Sequence, residues 1–218
     1  MDVILSLEGR LSSFLRFGLI KLVVFDMGGV IVHNHYMVGL MSYLGYDEKT
    51  AFPDINPRLG DAFRDHAKGI ISENEFWTLF EKITGRIVGT WREESLFAKF
   101  FNPTLDIPTV KVAEDLKRKG CRVVCGTDVL PGHFRYHQEH HQYDVFDKVY
   151  PSQEMHLKKP DPAFFRYIAE SEGVKPSEMF FTDDFQWNID AAAKLGIKTH
   201  LYHNADELRK ALIDMELL

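Results

Sequence analysis

The sequence predicts an α/β fold in which a doubly wound parallel sheet carries an inserted domain of helices. Two observations support this prediction. After residue 103, short apolar segments alternate with amphipathic helical segments, which is the pattern of parallel strands joined by right-handed helical crossovers. Between residues 35 and 102 the apolar residues follow helical spacing only, so we expect a block of helices inserted after the first strand.

The composition is that of a globular protein with one core and a small inserted domain. The chain has 218 residues, of which 45% are hydrophobic and 27% charged, and its formal net charge is −6. A chain of this size needs no metal or disulfide to fold, and the acidic balance argues against a nucleic-acid partner. On one strand, Cys121 and Cys125 would lie about 13 Å apart, too far for a disulfide, so we expect a cytoplasmic location.

The chain divides into three expected parts. Residues 1–20 form an N-terminal extension, and the acidic Asp2 without a basic start argues against a signal peptide. No apolar run is long enough to span a membrane, so we expect no membrane partner, although an amphipathic helix in this extension could lie on a membrane surface. Residues 21–34 and 103–218 form the core, and residues 35–102 form the helical insertion.

The first half of the chain carries clear start and stop signals. Residues 21–25 are β-branched and aromatic and predict a strand. Residues 36–44 have the spacing of a helix, and a capping box at residues 72–75 predicts a second helix that ends at Gly85. A further capping box at residues 90–93 predicts a helix through residue 101.

The second half alternates between strands and helices. Strands are predicted near residues 122–125, 147–150, 179–182 and 197–202, and helices near 108–119, 131–140, 188–195, after Asp161-Pro162 and after Asn204. In the helical insertion, the clustered aromatic residues form either the core of a small bundle, which we favour, or the wall of a ligand cavity. They include Phe76, Trp77, Phe80 and Trp91.

Chemically useful side chains follow the strands of the predicted sheet. Asp26 ends the first strand, Thr127 follows the second, Lys159 precedes a helix, and Asp183 and Asp184 follow a later strand. In doubly wound sheets, ligands bind beyond the carboxyl ends of the strands. Each residue alone could be a helix cap or a solvated charge, but the set predicts one site that holds a hard cation and a phosphate.

Four sequence motifs resemble those of the haloacid dehalogenase superfamily of aspartate-nucleophile hydrolases. They are FDMGGVI at residues 25–31, VCGT at 124–127, KPD at 159–161 and FFTDD at 180–184, the last followed by Asn188. Their order and spacing match over about residues 21–205. The resemblance implies a Rossmann-like core, and the helical insertion resembles the helical cap of that family.

The resemblance also implies a nucleophile and a metal site. Asp26 would attack phosphorus and form an aspartyl phosphate. Mg²⁺ would lie between the Asp26 carboxylate and a phosphate oxygen and offset the repulsion between the two anions. Asp184 is the implied direct ligand, Asp183 a direct or water-mediated one, and Gly28 a ligand through its backbone carbonyl.

The remaining motif residues are implied to bind the phosphate or support the site. The hydroxyl of Thr127 and the backbone N–H of Asp128 would donate to the phosphoryl oxygens, and Lys159 would neutralise their charge. Thr127 and Lys159 thus join the nucleophile as catalytic residues. We expect Lys158 to be a solvated neighbour and Asn188 to steady the acidic loop by hydrogen bonding.

The first motif departs from the phosphatase pattern at Gly28, where such enzymes carry a second aspartate that protonates the leaving group. Loss of this acid–base group costs typically about 10²–10⁴-fold in rate. The pattern resembles a branch with Asp-x-Gly-Gly or Asp-x-Gly-Asn that includes a sugar 1-phosphate phosphatase. We expect either a leaving group that needs little protonation, such as an anomeric or acyl phosphate, or a substitute acid–base residue at His33 or His35.

Two other patterns have ordinary structural interpretations. Relatives often have Ser-Asn where this chain has Thr-Asp at residues 127–128, and we favour a role for Asp128 as the cap of the following helix over one in the phosphate site. His133, His137 and His141 would share a helix face, but the outer two lie about 12 Å apart along it. Without a cysteine or nearby carboxylate to complete a zinc set, we interpret them as a helix face and loop.

These observations predict a Mg²⁺-dependent phosphatase that acts on a small phosphorylated metabolite, with a sugar 1-phosphate as one candidate substrate. One alternative is a non-catalytic phosphate-binding or regulatory module that lost the acid–base aspartate. A 2-haloacid dehalogenase is a weaker alternative, because dehalogenases of this superfamily need no metal and lack the acidic pair present at Asp183 and Asp184. The sequence does not predict the oligomeric state.

Overall fold

A computed structural model describes residues 20–89 and 94–218, so the expected N-terminal extension and the capping box at residues 90–93 lie outside the described residues. Within these residues, a five-stranded sheet has the order β5-β4-β1-β6-β7, and every neighbouring pair is parallel. Its strands are β1 Leu22–Phe25, β4 Arg122–Thr127, β5 Lys148–Pro151, β6 Met179–Asp183 and β7 Lys198–Leu201. The predicted doubly wound parallel sheet is confirmed.

Helices pack on both faces of this sheet and also form the insertion. The described helices are α1 Leu40–Tyr43, α2 Phe52–Ile55, α3 Pro57–Ala67, α4 Glu73–Thr84, α5 Leu96–Lys99, α6 Ile107–Arg118, α7 Pro131–Glu139, α8 Ser152–Met155, α9 Pro162–Glu172, α10 Gln186–Ala193 and α11 Ala205–Asp214. None of them is long and apolar enough to cross a membrane. All four residues of β1 are buried, since Val23 and Phe25 face one apolar cluster and Leu22 and Val24 face another.

The helical insertion has an apolar core of its own. The rings of Phe52, Phe76, Trp77, Phe80 and Phe97 are almost completely buried and pack on one another, mostly edge to face. Edge-to-face contacts suit the charge distribution of aromatic rings. The aromatic residues predicted here therefore form a bundle core, as we favoured, apart from Trp91, which lies outside the described residues.

Short antiparallel strands close the base of the insertion. They are β2 Val32–His33 and β3 Thr104–Leu105, which pair with each other and stand just before and just after the inserted helices. The sequence did not predict them, because two-residue strands have no recognisable periodicity. They bring the entry and exit of the insertion side by side.

Local capping sets the helix boundaries of the insertion. In α4, Ser72 Oγ accepts from Glu75 N, Ser72 N donates to Glu75 Oε2 at 2.7 Å, and Gly85 ends the helix with φ 69°. Ser95 caps α5, since its hydroxyl accepts from Ala98 N at 3.0 Å. The helix predicted over residues 36–44 is wrong at its first turn, because the left-handed Gly39 delays the start of α1 to Leu40.

Side-chain hydrogen bonds fasten the insertion to the carboxyl edge of the sheet. Ser152 follows β5, and its Oγ donates to the carbonyl of Ala67 in α3 at 2.7 Å and accepts from Val129 N at 3.0 Å. Next to it, His156 Nδ1 contacts the carbonyl oxygen of Lys68 at 2.7 Å. The helical insertion thus lies at the sheet edge where the predicted site residues emerge.

Candidate active site

Asp26 stands at the carboxyl end of β1, in the centre of the sheet. Its backbone N–H donates to the carbonyl of Thr182 at 2.9 Å, so the pairing with β6 continues through this residue. The carboxylate is almost fully buried, and its Oδ1 lies 2.6 Å from Lys159 Nζ. Burial raises the pKa of Asp26 to about 8, and the positive charge of Lys159 opposes this shift.

Lys159 forms a buried bridge between two carboxylates. Its ammonium lies 2.7 Å from Asp183 Oδ2 and also contacts Asp26. Burial alone lowers the pKa of Lys159, but the charges of Asp26 and Asp183 outweigh it and hold the pKa above the ordinary value. A buried charge is stable only when it is paired and hydrogen-bonded, so this lysine remains a fixed cation.

The two aspartates after β6 differ in their hydrogen bonding. Asp183 Oδ1 accepts from Phe185 N at 2.8 Å and from Asn188 Nδ2 at 2.9 Å, and Asp183 is fully buried. Asp184, in contrast, has a buried Oδ1 without a hydrogen-bond partner. Burial and, next, the charge of Asp183 raise the pKa of Asp184.

These carboxylates form a candidate site for a divalent cation. One oxygen each from Asp26, Asp183 and Asp184 lies within 4.8 Å of the others. The ammonium of Lys159 contacts two of these three carboxylates, so the site has excess negative charge, and Oδ1 of Asp184 is buried and unpaired. Hard cations with oxygen ligands satisfy both requirements, and the residues present therefore fit Mg²⁺.

The carboxylate of Asp184 lies against the first motif at Gly29, where there is no side chain. Gly29 has a left-handed φ of 78°, and a Cβ at this position would collide with Oδ2 of Asp184. The sequence reasoning assigned no role to Gly29, although the paired glycines after the nucleophile motif were the available signal. Gly28 precedes it and bridges to Val32, beside the same acidic cluster.

The predicted phosphate-binding residues lie at the neighbouring strand. Thr127 is buried at the end of β4, and Asp128 follows it. The expected capping of α7 by Asp128 is wrong, since Leu130 occupies the N-cap position and α7 begins with Pro131. Asp128 Oδ1 instead accepts from the backbone N of Lys159 at 3.0 Å, and thus holds the loop that delivers the lysine.

Lys158 is only partly exposed, and its Nζ lies 3.5 Å from Asp128 Oδ2.

The three histidines of the predicted helix face and loop lie in different environments. His133 and His137 are buried, and the side chain of His141 is 80% exposed. His133 and His137 lie on α7, which ends at Glu139, and His141 follows this end. Within the described residues, the group of His, Cys, Asp or Glu side chains that could hold a metal ion is formed by Asp26, Asp183 and Asp184.

His33 and His35 point to different neighbours. His33 Nε2 lies 2.7 Å from Asp106 Oδ2, on an exposed side of the insertion base. His35 packs its ring over Gly28, since a Cβ at that glycine would stand 3.2 Å from His35 Cδ2. Of the two expected substitutes for the missing aspartate, only His35 contacts the first motif at this position.

Comparison with known proteins gives consistent matches. The D-ribitol-5-phosphate phosphatase of Bacteroides thetaiotaomicron is 26% identical over 206 residues, which cover 89% of this chain and 97% of that protein. The sesquiterpene phosphatase of Aspergillus oryzae is 24% identical over 81% of this chain and 87% of its own length. The drimenol cyclase of Aspergillus calidoustus is 34% identical over 73 residues, which are 34% of this chain and only 14% of that protein.

Solved structures share the fold. A HAD family enzyme of Bacteroides thetaiotaomicron, in complex with magnesium and inorganic phosphate, has a TM-score of 0.68 at 23% identity and covers 88% of this chain and 99% of its own. A predicted HAD-like family hydrolase of Porphyromonas gingivalis has a TM-score of 0.72 at 23% identity, covering 91% and 98%. The sequence model of the haloacid dehalogenase-like hydrolases matches residues 20–196, and the chain belongs to this family of hydrolases.

Proposed function

We propose that this hydrolase is a Mg²⁺-dependent phosphatase of small phosphorylated metabolites, with Asp26 as the nucleophile. The observation that carries the proposal is the arrangement of Asp26, Asp183 and Asp184 around one candidate cation position, with the ammonium of Lys159 bound to two of these three carboxylates. Two relatives that match most of the chain are phosphatases, and a structure with the same fold holds magnesium and phosphate.

The metal would be held by Asp26, by Asp184 and by the carbonyl of Gly28, with Asp183 as a direct or water-mediated ligand. The chemistry that a bound Mg²⁺ supplies is charge neutralisation between the phosphate and the attacking carboxylate. The unpaired Oδ1 of Asp184 supports this set, because a ligand atom needs a free lone pair. Asn188 fixes Asp183 by two hydrogen bonds, at 2.9 and 3.0 Å.

Each residue of the site has its own role in the proposed reaction. Asp26 attacks phosphorus, which forms an aspartyl phosphate and releases the alcohol or sugar, and water then cleaves the aspartyl phosphate. The Thr127 hydroxyl and the Asp128 backbone N–H would donate to the phosphoryl oxygens. Lys159 holds the Asp26 carboxylate in place by its 2.6 Å contact and adds positive charge beside the phosphate.

We assign residues 21–34 and 103–218 to the catalytic core and residues 35–102 to its cap. The contacts of Ser152 and His156 with the insertion support this, since they hold the helices against the catalytic edge of the sheet. A cap at this place excludes water and strengthens the charge interactions beneath it. A sugar 1-phosphate remains the candidate substrate suggested by the first motif, and the cytoplasmic location stays a prediction.

The test is phosphate release from a panel of phosphorylated sugars, nucleotides and acyl phosphates, with Mg²⁺ and with a chelator. We expect release that requires Mg²⁺ and that falls by at least about 10³-fold in Asp26→Asn, because the nucleophile is lost. Asp214→Asn, at an exposed helix end, is the matched control and should leave turnover unchanged.

Two results contradict the proposal. Full turnover in the chelator, or in the Asp26→Asn variant, rules out the metal-assisted aspartyl phosphate. A protein that binds phosphate and Mg²⁺ but releases nothing from any ester is the non-catalytic module, which the glycine at position 28 makes the second candidate.

A further inference from the structure

The imidazole of His35 occupies the space above Gly28. A Cβ built on this glycine would stand 3.2 Å from Cδ2, 3.3 Å from Cγ and 3.5 Å from Nε2 of His35. These three similar distances place the face of the ring, near Cδ2, against the position where a side chain at residue 28 would project. Gly28 lies two residues after Asp26, at the position where phosphatases with a similar motif carry the acid–base aspartate.

The His35 ring is half-buried beside Gly28. Its Nδ1 is buried without a hydrogen-bond partner, and its ring lies against that of Tyr36 at a tilt of 35°, with 4.3 Å between the ring centroids. Burial lowers the pKa of His35 below its ordinary value, and the neighbouring His33 adds to this effect. A neutral imidazole has one N–H donor and one acceptor nitrogen.

We propose that His35, through Nε2–H, donates a hydrogen bond to the leaving-group oxygen of the substrate. The proposal rests on the phosphatase function proposed above. As the bond from the Asp26 carboxylate to phosphorus forms, the bond from phosphorus to the leaving oxygen breaks, and this oxygen takes the electron pair. His35 stabilises the negative charge while remaining neutral, and a solvent water supplies the proton that converts the alkoxide to the alcohol.

The absence of a side chain at Gly28 leaves the space that the His35 ring occupies. A Cβ at position 28 would require the His35 ring to shift by a few tenths of an ångström, because contacts near 3.2 Å are tighter than a Cβ usually makes. His33 cannot take the same role, since its Nε2 is bound to Asp106 at 2.7 Å and its side chain is 51% exposed. It therefore provides a matched control.

The test compares esters with different leaving groups, from 4-nitrophenyl phosphate to alkyl phosphates, in the full-length protein with Mg²⁺. A donor to the leaving oxygen matters most where the oxygen develops most charge. We expect His35→Ala to lower kcat for alkyl phosphates by about 10²-fold and kcat for 4-nitrophenyl phosphate by less than about threefold. His35→Gln, which retains an N–H donor, should recover part of the loss, and His33→Ala should keep the parent's dependence.

A second variant and a spectroscopic measurement make the test independent of folding defects. Gly28→Ala leaves the histidine in the chain but requires its ring to shift by a few tenths of an ångström, and we expect a smaller loss that is again selective for alkyl phosphates. ¹⁵N NMR of the parent should show the His35 hydrogen on Nε2 at neutral pH. A uniform loss for all esters, or a hydrogen on Nδ1, overturns this proposal alone, whereas a parent without Mg²⁺-dependent release overturns the phosphatase function as well.

Discussion

At Gly29, the absence of a side chain leaves room for the carboxylate of Asp184. We predict that Gly29→Ala weakens Mg²⁺ binding by about 10–100-fold, because the new methyl group would collide with Oδ2 of Asp184 and displace this oxygen. Isothermal titration of the substrate-free protein with Mg²⁺ measures the effect directly.

Gly120→Ala is the matched control for this variant. Gly120 has a φ of 86°, but no other heavy atom lies within 4 Å of the position of its Cβ. Both variants should lose about 1–2 kcal/mol of stability from left-handed strain, and only Gly29→Ala should lose metal affinity. Equal Mg²⁺ affinity in the two variants would contradict the placement of Asp184 in the metal site.

Lys159 is the only ammonium within hydrogen-bond distance of Asp26 and Asp183 in the described part of the chain. We predict that Lys159→Met lowers the free energy of unfolding by about 3–5 kcal/mol without metal, because two buried carboxylates lose their counter-charge. Urea denaturation in a chelator provides the measurement. Lys158→Met should change it by less than about 0.5 kcal/mol, since Lys158 is partly exposed; similar losses in both variants would disprove the buried bridge.

At this scale, the sequence predicted which residues meet but not how each side chain is used. The motif order brought Asp26, Lys159, Asp183 and Asp184 together, because parallel strands place their carboxyl ends at one edge. The direction of Asp128 could not be predicted, since it depends on a backbone N–H that is 31 residues away in sequence. The choice between the two histidines depended likewise on long-range packing.

At the scale of elements, Ser152 joins the core to the helical insertion. Its hydroxyl donates to the carbonyl of Ala67 and accepts from Val129 N, and Ser152 is fully buried. We predict that Ser152→Ala costs about 1–3 kcal/mol of unfolding free energy, because both backbone groups are left without a partner. Thermal denaturation, compared with the exposed Ser177→Ala, measures this cost; an equal effect of the two changes would show that the joint contributes nothing.

Element prediction succeeded where the signal was local. Adjacent residues specify both ends of α4, which forms as predicted. A capping box at Ser72 and Glu75 begins the helix, and the left-handed Gly85 ends it. The strands β2 and β3 have no such signal, because they are stabilised by pairing between segments more than 70 residues apart. The sequence therefore predicted the inserted helices but not the antiparallel pair of β2 and β3 at their base.

At the scale of the whole molecule, buried histidines link the stability of core and insertion to pH. His133 and His137 lie on α7 of the core, and His133 stacks on Phe101 of the insertion at 3.7 Å between ring centroids. Burial lowers the pKa of His133 to about 3 and of His137 to about 4, from an ordinary value of 6.5. Both rings bind a proton more weakly in the folded protein than in the unfolded chain.

The stability that these two histidines contribute should therefore be complete above pH 6.5 and decrease as the pH falls toward 4. Each unit below 6.5 costs about 1.4 kcal/mol per histidine, so about 2 kcal/mol each is expected by pH 5. Carboxylates with lowered pKa values, such as Asp106, reduce the stability only when the pH falls below their ordinary pKa of 3.8. Asp26 has a raised pKa, so its contribution to stability increases as the pH falls.

Comparison with a variant isolates the histidine effect from these other groups. The unfolding free energy of the parent, His133→Gln and His141→Gln should be measured by urea denaturation in a chelator between pH 7 and 5. We expect His133→Gln to be less stable at pH 7 yet to lose about 2 kcal/mol less than the parent on acidification. His141→Gln should follow the parent, since this side chain is 80% exposed. Parallel pH curves for all three proteins would show that the protonation of His133 does not control how tightly core and insertion are held together.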